Sequence, residues 1–162
     1  MAGTMTRRGL WAATAAALFL SAPPRAATQD GGARRRTGII QTADGPVRGF
    51  EENGVRRFLG IPFAAPPVDG LRWRPPQPPA KWARPLDAVA FGPRCVQTNT
   101  LGVFAAPSDN EDCLYLNVFT STDEGGQTTR PVMVWIHGGG MFDGESNDYD
   151  ATKLVRQGGS RP

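Results

Sequence analysis

Val132-Met133-Val134-Trp135-Ile136 is an apolar run that ends in His137 and three consecutive glycines, Gly138, Gly139 and Gly140. Short, uncharged and rich in β-branched residues, the run reads as a buried strand. A strand apolar on both faces needs cover on both, which places it inside a sheet rather than at a surface. The glycines have no Cβ, so they reach backbone angles closed to other residues and let another group approach the main chain. Three successive N–H groups without side chains can converge on one oxygen or anion. Such a strand and loop form the charge-stabilising half of an active site. A nucleophile and its base have to come from elsewhere.

The N-terminus reads as a targeting segment. Met1–Arg8 carries positive charge, and Leu10–Leu20 is apolar and of signal-peptide length, too short to span a bilayer comfortably. Small residues follow, with Ala26 and Ala27 near the expected cleavage point. Residues 1–27 are therefore expected to be a signal peptide, with a membrane-anchoring helix as the plain alternative. Thr6-Arg7-Arg8-Gly9-Leu10 also resembles a twin-arginine export signal, so the expected location is secreted or periplasmic. Residues 28–37 are polar and rich in Gly and Arg, and read as a disordered lead-in.

The net charge of +3 carries no nucleic-acid signal. Arg7, Arg8, Arg25, Arg34, Arg35 and Arg36 all lie in the leading segments, and without these six cations the balance is negative. Cys95 and Cys113 are an even count in a chain that reads as exported, which favours a disulfide. Two cysteines and one histidine are too few for a closed zinc site, and no other metal or cofactor is indicated.

In the body, Asp44-Gly45 marks a hairpin turn between Gly38–Gln41 and Pro46–Phe50, and Asn53-Gly54 marks a second before a strand over Val55–Ile61. Pro62–Pro85 holds three Pro-Pro pairs with Phe63, Trp73 and Trp82 between them. Proline removes donors and restricts its predecessor, so this stretch is coil. Its aromatics offer apolar area to bury, so it is expected to pack on the core rather than hang free. Cys95 and Cys113 bracket a polar loop, whose closure is worth about 3 kcal/mol on the chain-entropy account. Leu114–Phe119 reads as a strand with Leu114, Leu116 and Val118 on one face. Asp148-Tyr149-Asp150 reads as an acidic helix start, followed by a short helix over Ala151–Gln157 that Gly158-Gly159 stops.

Four blocks in order give the chain a specific resemblance. They are Phe58–Pro67, Leu71–Pro76, Glu111–Val118 and Pro131–Gly140. Together they resemble the type B carboxylesterases, α/β-hydrolases related to cholinesterases and lipases. Ser121 stands where the family usually has proline, and Met141 where an aromatic is typical. The resemblance runs from about Gly38 to Gly158. It implies an α/β fold class: the N-terminal portion of an α/β-hydrolase fold, with a small antiparallel meander leading into the central sheet, incomplete as it stands over residues 38–162.

The resemblance also implies roles. Gly139 and Gly140 match the glycines whose N–H groups donate into the oxyanion hole, where a lost donor costs about 3 kcal/mol in comparable hydrolases. His137 and Gly138 support that loop. His137 is the sole histidine, but the family base lies far downstream, so His137 is expected to orient the loop rather than take protons. Cys95 and Cys113 match a family disulfide. Arg72 and Glu111 match a buried ion pair that clamps the proline-rich coil to the strand before Leu114.

Family order is oxyanion loop, then the nucleophile elbow Gly-x-Ser-x-Gly, then acid, then base. No Gly-x-Ser-x-Gly occurs in the sequence. Gly144-Glu145-Ser146 begins like one, but Asp148 stands at the final glycine position, so Ser146 reads as a loop serine. None of the triad is present. The expectation is the N-terminal part of a secreted carboxylic-ester hydrolase acting on small-molecule esters, inactive alone, from a truncated gene product or an interrupted frame. The chain alone is expected to be marginally stable or aggregation-prone, with Val132–Ile136 as the liability. The alternative is a non-catalytic cholinesterase-like binding or adhesion domain, which has no need for the intact glycines. Neither a nucleic-acid partner nor a stable membrane span is expected.

Overall fold

The computed structural model describes residues 33–98, 106–122 and 130–159. The expected signal peptide, 1–27, lies outside them. Two small sheets organise the fold. The first holds β1 (Arg35–Arg36), β4 (Phe50–Glu52), β5 (Val55–Pro62) and β7 (Tyr115–Ser121) in the order β1-β4-β5-β7. All its pairings are antiparallel. The second holds β2 (Ile40–Gln41), β3 (Pro46–Arg48) and β6 (Leu86–Asp87) in the order β2-β3-β6.

Both turn signals act as the sequence implies. Asn53 and Gly54 carry positive φ of 52° and 76°, and Glu52 pairs directly with Val55. Two central residues with φ above zero match the twist of the strands they join. Asp44-Gly45 likewise joins β2 to β3, with Gln41 opposite Pro46. The two hairpins sit in different sheets, however, so the expected meander divides in two.

The described end of the lead-in, residues 33–37, is ordered. Arg35 and Arg36 pair with Glu51 and Phe50, and Thr37 is buried, its N–H donating to the Gly49 carbonyl at 3.1 Å. Edge pairing and ion pairs from Arg34 to Glu52 and from Arg35 to Glu51 hold this segment. A polar composition alone does not release a strand whose backbone groups find a ladder.

The core lies between the sheets. Val47, Phe58 and Ala88 are buried against one another, with Ile61, Trp82 and Leu86 packed around them. The proline-rich coil supplies part of this cover. Trp82 Nε1 donates to the Pro46 carbonyl at 2.7 Å, and the Trp82 N–H donates to the Asp44 carbonyl at 2.9 Å. Its end becomes β6, which pairs in parallel with β3. The other two aromatics do not bury: Trp73 is 100% exposed and Phe63 half exposed. The coil is ordered by its backbone bonds and by Trp82, not by all its rings.

One irregularity fixes the centre of the first sheet. Phe58 pairs with Val118 and Ile61 with Leu116, so Leu59 and Gly60 together oppose Asn117. This is a β-bulge, with Gly60 at a φ of 69°. A Cβ on Gly60 would lie 2.6 Å from the Ala90 carbonyl oxygen, so the position requires glycine for its angle and for its space.

The sequence reading of Val132–Ile136 as a buried strand does not hold. No strand forms there, and Val132 and Ile136 are 88% and 85% exposed. A strand exists only where a neighbour completes its ladder, and among the described residues none runs beside it. Trp135 leans on Tyr149, ring centroids 5.4 Å apart. The helix α1 (Thr152–Gly159) runs through both glycines rather than stopping before them. Its entry is acidic as expected, with the Thr152 N–H donating to Asp150 Oδ1 at 2.7 Å.

Candidate active site

The glycine loop closes into a compact turn. The Gly139 carbonyl accepts from the N–H groups of Phe142 at 3.1 Å and Asp143 at 3.2 Å. Gly139, Gly140 and Met141 carry φ of 126°, 62° and 64°. A Cβ on Gly139 would fall 1.6 Å from the Asp143 carbonyl oxygen, so no side chain fits there. Gly140 is exposed, and a Cβ on it would meet only the Phe142 ring at 3.4 Å. His137 Nδ1 lies 2.8 Å from the Gly138 carbonyl oxygen. A carbonyl only accepts, so a hydrogen bond here has Nδ1–H as its donor. The contact is with the loop itself.

The segment leaving the turn is held by side chains. Gly144 donates its N–H to Gln97 Oε1 at 2.8 Å. Glu145 is buried and pairs with Arg94, Oε1 to Nη2 at 2.6 Å. Ser146 Oγ accepts from Asn117 Nδ2 at 3.0 Å and lies 3.3 Å from Asn147 Oδ1. Asn147 Nδ2 donates to the Gly92 carbonyl at 3.2 Å and to Glu145 Oε2 at 2.8 Å. Ser146 sits in a 3₁₀ turn over Ser146–Asp148, among amide groups. Asn117, Gln97, Arg94 and Glu145 were not among the residues that the sequence singles out. An asparagine inside an otherwise apolar strand was the one available signal, since asparagine is depleted there.

Cys95 and Cys113 are bonded as a disulfide. Gln97 follows Cys95 and pairs with Ser108, the two exchanging backbone bonds of 2.9 and 3.0 Å. Arg72 meets Glu111 through Nε at 2.8 Å and Nη2 at 2.5 Å. The pair is not buried as the resemblance implies: the side chains are 54% and 31% exposed. Glu111 raises the Arg72 pKa, by hydrogen bond first and by charge second. Tyr115, at the start of β7, donates its hydroxyl to Asp112 Oδ1 at 2.8 Å. Burial, then this bond, pushes its pKa up to about 12.

A profile of the carboxylesterase family matches residues 36–159. The chain belongs to that family. It is 43% identical over 125 residues to the para-nitrobenzyl esterase of Bacillus subtilis, covering 74% of this chain and 25% of that protein. It is 46% identical over 123 residues to the fumonisin B1 esterase of Sphingopyxis macrogoltabida, covering 74% and 22%. A solved para-nitrobenzyl esterase superposes with a TM-score of 0.67 at 44% identity, over 74% of this chain and 25% of the esterase. The chain therefore spans about a quarter of the length of the relatives it matches, and the sheets described above are part of an α/β-hydrolase fold. Among the described residues no helix is long and apolar enough to cross a membrane.

Proposed function

We propose that this chain is the oxyanion-loop segment of an exported carboxylic-ester hydrolase. The reading rests on one observation. The family match covers the turn at Gly139-Gly140, whose positive φ angles and lack of room for a side chain at Gly139 suit a loop that binds through its main chain. Gly139 and Gly140 are the donors, and His137 and Gly138 shape the loop. In the whole enzyme a serine attacks the ester carbonyl, negative charge collects on the carbonyl oxygen, and the turn binds that charge. The alcohol leaves, and water then releases the acyl group from serine. Nucleophile, acid and base are not in this sequence, so the chain does not complete the cycle alone.

The test joins residues 36–159 to the remaining three-quarters of the Bacillus subtilis esterase in place of its own matching segment. A soluble chimera is expected to hydrolyse p-nitrophenyl butyrate, while the chain alone releases no p-nitrophenol. A folded chimera that is never acylated would sink the reading. Turnover by the chain alone, abolished in Ser146→Ala, would replace it with a different site.

A further inference from the structure

The turn has an unequal frame. Its entry, Val132–Ile136, is exposed and joins no ladder among the described residues. Its exit, Gly144–Asn147, is fixed at every residue by a group from a separate part of the chain. Gln97 accepts the Gly144 N–H, Arg94 pairs with Glu145, Asn117 donates to Ser146, and the Gly92 carbonyl accepts from Asn147. Three of these groups lie on Gly92–Gln97, which runs opposite in direction to the exit segment. That stretch is itself tied down. Cys95 is bonded to Cys113, Gln97 is paired with Ser108, and Gln97 Nε2 donates to the Ala106 carbonyl at 3.1 Å. Gln97 is buried, so its amide has little freedom to exchange these partners for water.

We propose that Gln97 and Asn117 are positioning residues for the glycine turn, with the disulfide-tethered Gly92–Gln97 stretch serving as the template on which its exit is laid. The functional meaning rests on the oxyanion reading above; the mechanical claim does not. Gln97 sets the place of Gly144, one residue beyond Asp143, whose N–H closes the turn onto Gly139. Displacing Gly144 therefore displaces the carbonyl of Asp143, which packs against the Gly139 Cα and leaves it no slack. Asn117 adds a second fixed point, from β7 to Ser146.

The test is residue-resolved amide exchange and chemical shift of the purified chain by NMR. Gln97→Leu removes the acceptor for Gly144. Gln97→Glu keeps an acceptor for Gly144, loses the donor to Ala106 and adds a charge, so it is read at a pH low enough to protonate the carboxylate as well as at neutral pH. In Gln97→Leu the Gly144 amide is expected to exchange about tenfold faster or more, while the amides of β5 and β7 stay within about twofold of the parent. The Gly139 and Gly140 amide shifts move in Gln97→Leu and return toward the parent in Gln97→Glu. Asn117→Asp, which keeps its bond to Gly60 and loses the donor to Ser146, perturbs Ser146 and the turn but not Gly60. An unprotected Gly144 amide in the parent overturns the proposal. So does an equal acceleration of all amides in Gln97→Leu, or fixed Gly139 and Gly140 shifts while Gly144 loosens. Ester turnover is not read here, so this result and the chimera result fail independently.

Discussion

Asn117 closes the bulge at Gly60. Its Oδ1 accepts the Gly60 N–H at 2.9 Å, supplying the partner that the bulge takes from the ladder. The opposite end of the same amide reaches Ser146. One side chain thus completes the sheet and holds the segment beyond the glycine turn. Asn117→Leu leaves a half-buried N–H without its partner and is expected to destabilise the chain by about 1–3 kcal/mol. Asn117→Asp, which retains an acceptor, is expected to cost less. Urea denaturation of the two variants beside the parent measures the difference; equal losses would show that the Gly60 bond contributes nothing.

Two glycines with similar angles should respond differently to alanine. At Gly54 an added Cβ meets only Thr122 Oγ1, 3.8 Å away, so Gly54→Ala pays the left-handed conformation alone, about 1–2 kcal/mol. At Gly60 the Cβ meets the backbone of Ala90 and Gly92 at 2.6 and 3.0 Å, and backbone does not give way cheaply. Gly60→Ala is expected to lower the thermal midpoint by clearly more than Gly54→Ala. The reverse order would contradict the bulge geometry.

Acid should loosen the start of α1. The Thr152 hydroxyl, then its backbone N–H and the charge of Arg57, hold the Asp150 carboxyl below its ordinary 3.8. A lowered folded value means stability that is present above 3.8 and is lost as pH falls through the folded value beneath it. Asp150→Ala is expected to cost about 1 kcal/mol at neutral pH. The gap between variant and parent should close below that range. Parallel thermal melts across acid pH test the sign, and a gap that widens on acidification would refute it.

The Arg72–Glu111 pair should matter little to stability. Both side chains reach solvent, where an ion pair is screened and contributes little. A double-mutant cycle of Arg72→Met and Glu111→Gln is expected to give a small coupling that shrinks with added salt. A larger, salt-insensitive coupling would restore the buried clamp implied by the family resemblance.

Val134 is 79% exposed in an apolar run. Val134→Lys therefore removes no buried contact and is expected to leave the melting temperature unchanged while reducing self-association. Static light scattering against concentration reads the second effect. An unchanged scattering slope would place the association surface elsewhere.

What could be read from the sequence was local. Asp44-Gly45 and Asn53-Gly54 specify their turns by residue conformation, and both turns are present. Four ordered blocks made the family legible, because each is a specific run of residue types and their order along the chain is fixed. Longer-range pairing was not readable in this way. Nothing in Leu86-Asp87 says that it will lie parallel to Pro46–Arg48, since the two meet only after the proline-rich coil returns. Trp73 and Trp82 look alike in sequence, yet only Trp82 faces the core. Val132–Ile136 has the composition of a strand, but a ladder depends on a neighbour that composition does not supply. The exit frame was hidden for the same reason: Gln97 and Gly144 are 47 positions apart.

The pairing of β5 with β7 also sets an order of events. Its residues are separated by the whole proline-rich coil and the disulfide loop, whereas the β4–β5 hairpin closes across two residues. Contacts that are near in sequence form early, and those that require a large loop to close form late. The hairpin is therefore expected to close before β7 joins it. Strand β7 is the late arrival, and Asn117 arrives with it. Gly60 and Ser146 share that one partner, so the bulge and the exit of the glycine turn are completed together when β7 docks.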